Sequence, residues 1–328
     1  MEFLYEAIII PSTSHSSRLA DLVDVFWTST SSDPDRRGYG WWVKRIDCPP
    51  RVLRLPSIID FVELLGLFHN LQILCITGIT RPSRTTQVRL AKILQSRFSH
   101  SLRRLDMFIG IDWLRESVPI LPNVELRSLG VCINRGITFH HQSFSPITTL
   151  SLHLGTDDFY LPSTWNFPFL RNLTLFRLSE THHEGLIPFI KQHSLTLYCL
   201  CIHTTRYSGE QMATLISSAP SLRCFTCDDL DVINLSIVVG TTLTGLTHLG
   251  IVHARGSTTI APYRVRESIL RIFRQGILPD LTVIRLLSEV SPDRQATAWV
   301  SVFEDCSIYG VGLQDKTREP LTSALFET

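Results

Sequence analysis

The sequence lacks a strong net charge of either sign. Of its 328 residues, 31 are Lys or Arg and 30 are Asp or Glu, which gives a formal net charge of +1. The positive residues form no long run. Binding to nucleic acid or to an anionic membrane surface depends on clustered positive charge. We therefore expect neither of them to be the main partner.

Long hydrophobic runs and a dense cysteine framework are also missing. A membrane helix needs about 20 apolar residues in succession, and no stretch of this chain reaches that length. Residues 1–11 carry two glutamates and no basic residue, unlike a secretory leader. The 8 cysteines are too sparse for a disulfide scaffold. The sequence thus predicts reduced thiols and a cytoplasmic or nuclear protein.

The common catalytic motifs are absent as well. The sequence contains no phosphate-binding G-x-x-x-x-G-K-[ST], no G-x-S-x-G, no H-E-x-x-H and no G-x-G-x-x-G. The adjacent pairs Asp157-Asp158 and Asp228-Asp229 are poor acid–base couples, since neighbouring side chains of an extended chain point apart. We therefore predict a protein that is not an enzyme and that uses no cofactor.

What the chain does have is one spacing that recurs ten times. Apolar residues occupy the first, fourth and sixth places of a short segment, as in Leu170, Leu173 and Leu175. The steps between successive first places, from Val43 to Leu281, are 28, 31, 24, 21, 23, 27, 25, 24 and 35 residues. Most of these steps are close to the roughly 20–29 residues of leucine-rich repeats. The ten first places are Val43, Leu71, Leu102, Leu126, Ile147, Leu170, Leu197, Leu222, Leu246 and Leu281.

This spacing predicts a strand in every copy, because places four and six point to the same side of an extended chain. Apolar residues at helical spacing between the copies predict helices at 57–68, 85–98, 184–192, 209–217 and 265–273. A single copy buries too little apolar surface, so neighbouring copies must stack. The predicted fold is an α/β leucine-rich repeat solenoid, a horseshoe with parallel strands on its concave face and helices and loops on its convex face.

Three regions are predicted along the chain. Residues 1–40 form an N-terminal helical cap with an amphipathic helix at 18–27, and residues 41–290 form the repeat array. Residues 291–328 form a C-terminal cap and a polar tail, with a last helix at 293–303 and a terminal strand at 306–309. Ser57 and Ser208 are predicted to cap the helices that follow them.

The third, fifth and seventh places of each copy face away from the core, and we call the surface that they form the polar face. A rigid sheet presents such side chains well to a protein ligand, so we predict a protein partner on this face. The candidate contact residues are Arg45, Asp47, Arg104, Asp106, Thr149, Ser151, His153, Asn172, Thr174, Phe176, Cys199, Cys201, His203, Cys224, Thr226, Asp228 and His248.

A cluster of cysteine and histidine in this set leaves an alternative open. Parallel strands lie about 4.8 Å apart, so Cys199 and Cys224 should be neighbours, with His248 one strand further on. An enzyme or a metal-binding protein could use His203 together with these residues. Cys227 is a sixth-place core residue whose thiol should diverge from that of Cys224, so the C-x-x-C spacing is not expected to hold zinc.

The spacing and the uneven repeat length resemble the irregular leucine-rich repeat proteins of fungi that are often F-box proteins. The resemblance covers about residues 40–290. It implies a substrate-recognition arm of a cullin-type ubiquitin ligase, with the ligase adaptor as a further candidate partner. Two features depart from the pattern: the F-box-like residues 55–59 are misplaced, and only Asn134 supplies the asparagine usual at the ninth place.

Overall fold

The computed structural model describes residues 7–9, 25, 42–48, 55–77, 84–98, 100–110, 125–133, 142–143, 146–154, 165–228, 235, 242–252, 262–287, 292–315 and 317–318. The chain divides into two compact units. The N-terminal unit contains Met1–Thr156 and Thr164–Phe169, and the C-terminal unit contains Asp157–Ser163 and Leu170–Thr328. Both are α/β units with parallel strands.

The strands of the N-terminal unit pair in parallel in chain order, apart from one separate pair. That pair, β6 and β8, consists of two-residue parallel strands. The elements are β1 (Ala7–Ile9), β2 (Arg45–Cys48), α1 (Leu55–Gly66), β3 (Ile73–Thr77), α2 (Arg84–Phe98), β4 (Arg104–Gly110), β5 (Ser128–Ile133), β6 (Gln142–Ser143), β7 (Thr149–Leu154) and β8 (Trp165–Asn166).

The C-terminal unit has the same alternation of parallel strands and helices. A 3₁₀ turn (Glu180–His182) precedes its first helix. The elements are β9 (Asn172–Ser179), α3 (His183–Gln192), β10 (Cys199–Arg206), α4 (Gly209–Ser217), β11 (Cys224–Asp228), β12 (His248–Val252), α5 (Pro262–Gln275), β13 (Val283–Leu286), α6 (Pro292–Ile308) and β14 (Gly312–Gln314).

The predicted strands are confirmed in all ten copies of the spacing. Every one of these strands begins at the third place of its copy. The residues at the first, fourth and sixth places are all buried, none more than 6 % exposed. Side chains of β7 alternate strictly between buried and half-buried, as expected for a strand that covers a core with one face.

A repeated backbone contact holds neighbouring copies in register. The carbonyl of the second-place residue accepts two N–H groups from the next copy, those of its second and third places. Arg171 O accepts from Tyr198 N and Cys199 N, both at 2.8 Å. Gln72 O in the N-terminal unit accepts in the same way from Arg103 N at 2.8 Å and Arg104 N at 3.0 Å. Because buried backbone groups must be paired, this contact fixes the point at which each strand starts.

The predicted helices also occur, with small shifts at their ends. Ser208 caps α4: its hydroxyl accepts from Gln211 N at 3.2 Å, and the Gln211 side chain accepts from Ser208 N at 3.1 Å. Ser57 is not a cap, because α1 already begins at Leu55. The inward side of α2 is formed by Leu90, Leu94 and Phe98.

Two predictions about the chain ends need correction. The predicted terminal strand at 306–309 is wrong, because Cys306 to Ile308 are the last residues of α6 and the strand follows at Gly312–Gln314. Gly310, with φ +71°, ends the helix in a conformation that favours glycine. Near the other end, Ala7–Ile9 is a strand that pairs with β2, inside the segment predicted as a helical cap.

Some predictions fall outside the described residues. Of the predicted helix at 18–27, only Val25 is described, and it is helical. Asp157, Asp158 and Asp229 are not described. None of the helices in the described ranges combines the length and the apolar character needed to cross a membrane.

Candidate functional site

Register pairing places three candidate residues side by side on the polar face of the C-terminal unit. Cys199 on β10 is the partner of Cys224 on β11, which is in turn the partner of His248 on β12. All three are third-place residues with half-buried side chains. The predicted neighbourhood of these groups is therefore confirmed.

The two thiols have very different pKa values because each acts on the other. A hydrogen bond from Cys199 lowers the pKa of Cys224 to about 7, with further help from the Thr226 hydroxyl and the positive charge of Arg285. The same bond, together with burial, raises the pKa of Cys199. As the pH rises, Cys224 therefore loses its proton first, near neutral pH, and Cys199 stays protonated.

Arg285 sits on β13, and its register partner on β12 is Gly250, which has no side chain. Its Nε and Nη2 donate to Gln314 Oε1 at 3.3 and 2.9 Å. Burial and the charge of Arg285 lower the pKa of His248. The ring of His248 shares a hydrogen bond of 2.9 Å with Thr247 Oγ1.

The fifth and seventh places of β10 carry a second thiol–imidazole contact. Cys201 Sγ lies 3.4 Å from His203 Nε2, but burial raises the pKa of Cys201 to about 12. The ring of His203 stacks on Phe176 of β9, with centroids 4.7 Å apart and planes 5° from parallel. Burial lowers the pKa of His203, against a smaller effect of Asp228. Both members of this pair are therefore neutral near pH 7.

The polar face of the N-terminal unit is charged, and its charges are paired within the unit. Arg45 Nε donates to Asp47 Oδ2 at 2.7 Å, and Arg104 Nε donates to Asp106 Oδ2 at 2.6 Å. Cys75 Sγ donates to Asp106 Oδ2 at 3.4 Å. Burial and the two carboxylates raise the pKa of Cys75 to about 12. This thiol is therefore protonated and unreactive near neutral pH.

Three of the predicted contact residues are buried rather than exposed. Asp106 is 4 %, Thr226 8 % and Asp228 6 % exposed. A Cβ built on Gly130 would lie under 3.0 Å from Asp106 Oδ1, and one built on Gly250 would lie under 3.0 Å from Thr226 Oγ1. Asp106 and Thr226 thus lie across a glycine of the next strand, which explains why they are covered.

The remaining candidates keep their predicted positions. They lie on β7 and β9 and alternate with core residues along each strand. Their side chains are half-buried, so each retains some exposed surface for a partner. These residues are Thr149, Ser151, His153, Asn172 and Thr174.

Several residues of the site are not among those predicted from the sequence. Cys75, Gly130, Gly250 and Arg285 all occupy fifth places, so the spacing itself contains the signal. The burial of Asp106 and Thr226 follows from register. Each is paired with a glycine on the next strand, and its side chain can lie over that glycine because the glycine has no Cβ.

An open cavity of about 550 Å³ lies at the start of β11, β12 and β13. Arg223 Nη1 donates to Gly245 O at 2.9 Å, and Gly245 N donates to Asp280 Oδ2 at 2.6 Å. Gly245 has φ +85°, a conformation that glycine adopts readily. These charged groups are used to hold a turn, so we assign the cavity a structural role.

The described residues contain no group of three or more His, Cys, Asp or Glu side chains arranged to hold a metal ion. Cys227 is fully buried on the core side of β11, as predicted, and diverges from Cys224. No protein-family model matches the chain. A search of curated proteins likewise finds none similar to it.

Proposed function

We propose that the chain is a leucine-rich repeat solenoid that works as a non-catalytic scaffold, with its polar face binding a protein partner. The observation that carries this proposal is that each strand has one side of core residues and one side of polar-face residues. Places one, four and six are buried in the core in all ten copies, which leaves the half-buried side chains of the polar face, such as Ser151 and Thr174, available to a partner.

The chemistry of the polar face fits a protein rather than a highly charged polymer. Arg45 and Arg104 are about half exposed, at 50 % and 54 %, but each is paired with an aspartate of its own strand. The C-terminal unit presents mainly neutral polar and aromatic groups, such as Asn172 and Phe176. Mixed surfaces of this kind, with few free charges, are common in protein–protein interfaces.

The test introduces a bulky charge onto the polar face. Ser151→Arg on β7 and Thr174→Arg on β9 each place a long side chain at a half-buried fifth place. Thr214→Arg on the exposed side of α4 is the matched control. Each variant is expressed with an affinity tag in the cells that make the protein, and co-purifying proteins are quantified by mass spectrometry.

We expect a partner that co-purifies with the wild type and with Thr214→Arg and is depleted at least about tenfold by a face variant, which corresponds to a binding loss of about 1.4 kcal/mol. Thermal unfolding of each variant shows whether the fold is retained. If folded face variants keep every partner of the wild type, the polar face is not the binding surface.

The resemblance to F-box proteins adds a proposal about the partner class. We propose that the scaffold recognises substrates for a cullin-type ubiquitin ligase. The same purification tests this proposal, because the ligase adaptor should then be recovered in stoichiometric amounts. If the adaptor is absent but other partners co-purify, the scaffold proposal stands and the ubiquitin-ligase proposal is wrong.

A further inference from the structure

Cys199 and Cys224 are the only two described cysteines that are register partners on neighbouring strands. Paired parallel strands lie about 4.8 Å apart, within the roughly 4.4–6.8 Å that separates the Cα atoms of disulfide-bonded cysteines. Both are third-place residues with half-buried side chains on the polar face. The spacing of the two backbones is therefore compatible with a bond between the two sulfurs.

The surroundings of the pair favour reaction at one of the two sulfurs. The hydrogen bond from Cys199 and the charge of Arg285 stabilise a thiolate on Cys224. The thiolate is the form of cysteine that attacks a disulfide. Its neighbour keeps its proton until the first sulfur has reacted. This asymmetry gives Cys224 the role of attacking thiol and Cys199 the role of resolving thiol.

We propose that Cys199 and Cys224 form a reversible thiol–disulfide modification site that is oxidised by low-molecular-weight disulfides of the glutathione type. The proposal is independent of any partner of the polar face.

The reaction proceeds in two exchange steps. The Cys224 thiolate attacks one sulfur of the small disulfide, the sulfur–sulfur bond breaks, and one small thiolate leaves. Cys199 then loses its proton to water, and its sulfur attacks the sulfur of Cys224 in the mixed disulfide, which releases the second small thiolate. Both leaving thiolates take up a proton as their own pKa values require. Two protein thiols are thus oxidised to one disulfide, and one small disulfide is reduced to two small thiols.

The experiment treats the purified full-length protein with oxidised glutathione at pH 7, stops the reaction with acid, alkylates the remaining thiols and maps the cysteines by mass spectrometry. Trypsin leaves Cys199 and Cys201 on one peptide and Cys224 and Cys227 on another. A Cys201→Ser background and fragmentation of the linked peptides therefore identify the bonded sulfurs. Treatment with a dithiol reductant checks that the bond is reversible.

Each variant has its own expected product. The wild type and Cys201→Ser should form the 199–224 disulfide without accumulating a glutathione adduct. Cys199→Ser should stop at a stable glutathione adduct on Cys224, because the resolving thiol is gone. Cys224→Ser should react at least about tenfold more slowly, since the remaining thiol is largely protonated.

Cys75 is the internal control, because it lies half-buried on a strand of the same kind but beside carboxylates. The proposal is overturned if Cys75 or Cys201 reacts as fast as Cys224, if Cys199→Ser yields no adduct on Cys224, or if the wild type stops at the adduct. Circular dichroism of every variant checks that the fold is intact.

Discussion

The two units carry the same three-strand arrangement at the fifth place, a cysteine followed by a polar side chain and then by a glycine. In the N-terminal unit these register partners are Cys75, Asp106 and Gly130. In the C-terminal unit they are Cys201, Thr226 and Gly250. In both, the polar side chain lies over the glycine, where an added Cβ would come under 3.0 Å from it.

The difference between the units lies in the charge that surrounds their thiols. The carboxylate of Asp106 accepts a hydrogen bond from Cys75 and contributes to its raised pKa, of which burial is the main cause. In the C-terminal unit the equivalent position holds the neutral Thr226, and the strand beyond Gly250 carries Arg285. The equivalent thiols Cys75 and Cys201 nevertheless both have a pKa raised to about 12, mainly by burial. The charge of Arg285 acts instead on the third-place Cys224, whose pKa is lowered to about 7.

The largest expected effect tests whether the two units share the same kind of core. Leu74 and Leu249 are both fourth-place residues with 0 % exposure. Replacing either with alanine should lower the free energy of unfolding by about 2–5 kcal/mol, because it leaves a cavity in a packed interior. Denaturant unfolding measures the loss. Leu195→Ala, at a side chain that is 83 % exposed, serves as the control and should change stability by less than about 0.5 kcal/mol.

A cost under about 1 kcal/mol at either leucine would show that its unit is loosely packed at that strand, and the comparison between equivalent places would then fail.

The two glycines provide the next largest effect. Gly130→Ala should push against Asp106, and Gly250→Ala against Thr226, with a loss of about 1–3 kcal/mol in each case because neither buried side chain can move freely. Gly66→Ala is the matched control, since its added Cβ meets no atom within 4 Å. Denaturant unfolding of the three variants measures the difference.

A double-mutant cycle sharpens this prediction. If the contact with Thr226 causes the loss, Thr226→Ala should remove much of the cost of Gly250→Ala, and the two changes should not add. Additive losses would mean that the backbone at Gly250, rather than its contact with Thr226, needs glycine.

The sequence predicted the frame of both units because one constraint acts on every copy. Places one, four and six must all be buried in every copy. This requirement is satisfied only if each strand starts at the same place of its copy, as the strands do from β2, which starts at Arg45, to β13, which starts at Val283. Register then follows, and with it the pairing of Cys199 with Cys224. The spacing thus predicts which side chains are neighbours.

The spacing does not predict how deeply a polar-face side chain is buried against the next strand. Asp106 and Thr226 were expected to face a partner, yet both are buried because the next strand has glycine at the paired place. The terminal strand was misplaced for a different reason. Cys306 and Ile308 alternate like strand residues, but the helix continues to Ile308, and Gly310 then allows the chain to turn. In that region, helix and strand patterns are too short to distinguish by period alone.

Substitution of the charged residues near the thiols should have a smaller effect, on thiol reactivity and pKa rather than on stability. Arg285→Gln should slow alkylation of Cys224 by iodoacetamide at pH 7, because a positive charge that favours the thiolate is lost. Arg285→Lys keeps the charge and should retain most of the rate. Asp106→Asn should lower the pKa of Cys75 but leave it above its ordinary value, since burial is the first cause of its shift. An unchanged rate in Arg285→Gln would assign the reactivity of Cys224 to its hydrogen bonds with Cys199 and Thr226.

The smallest expected effect concerns pH, and it belongs to the C-terminal unit. Burial is the main cause of a lowered pKa at four described histidines, all of them in that unit: His183, His193, His203 and His248. A base whose pKa is lower when folded than its unfolded value of 6.5 binds fewer protons in the folded state. Its contribution to stability is therefore complete above pH 6.5 and is lost as the pH falls through 6.5 toward the folded value.

His193 is the best placed of these to test, because it is only 3 % exposed and its Nδ1 lies 2.8 Å from Phe189 O. His193→Gln keeps a neutral donor near that carbonyl and removes the titration. We expect the unfolding free energy of the wild type to fall more steeply between pH 7 and pH 5 than that of the variant. Denaturant unfolding at several pH values gives the two slopes, and the values at pH 8 correct for the static cost of the substitution. Equal slopes would mean that burial of His193 does not couple its protonation to folding.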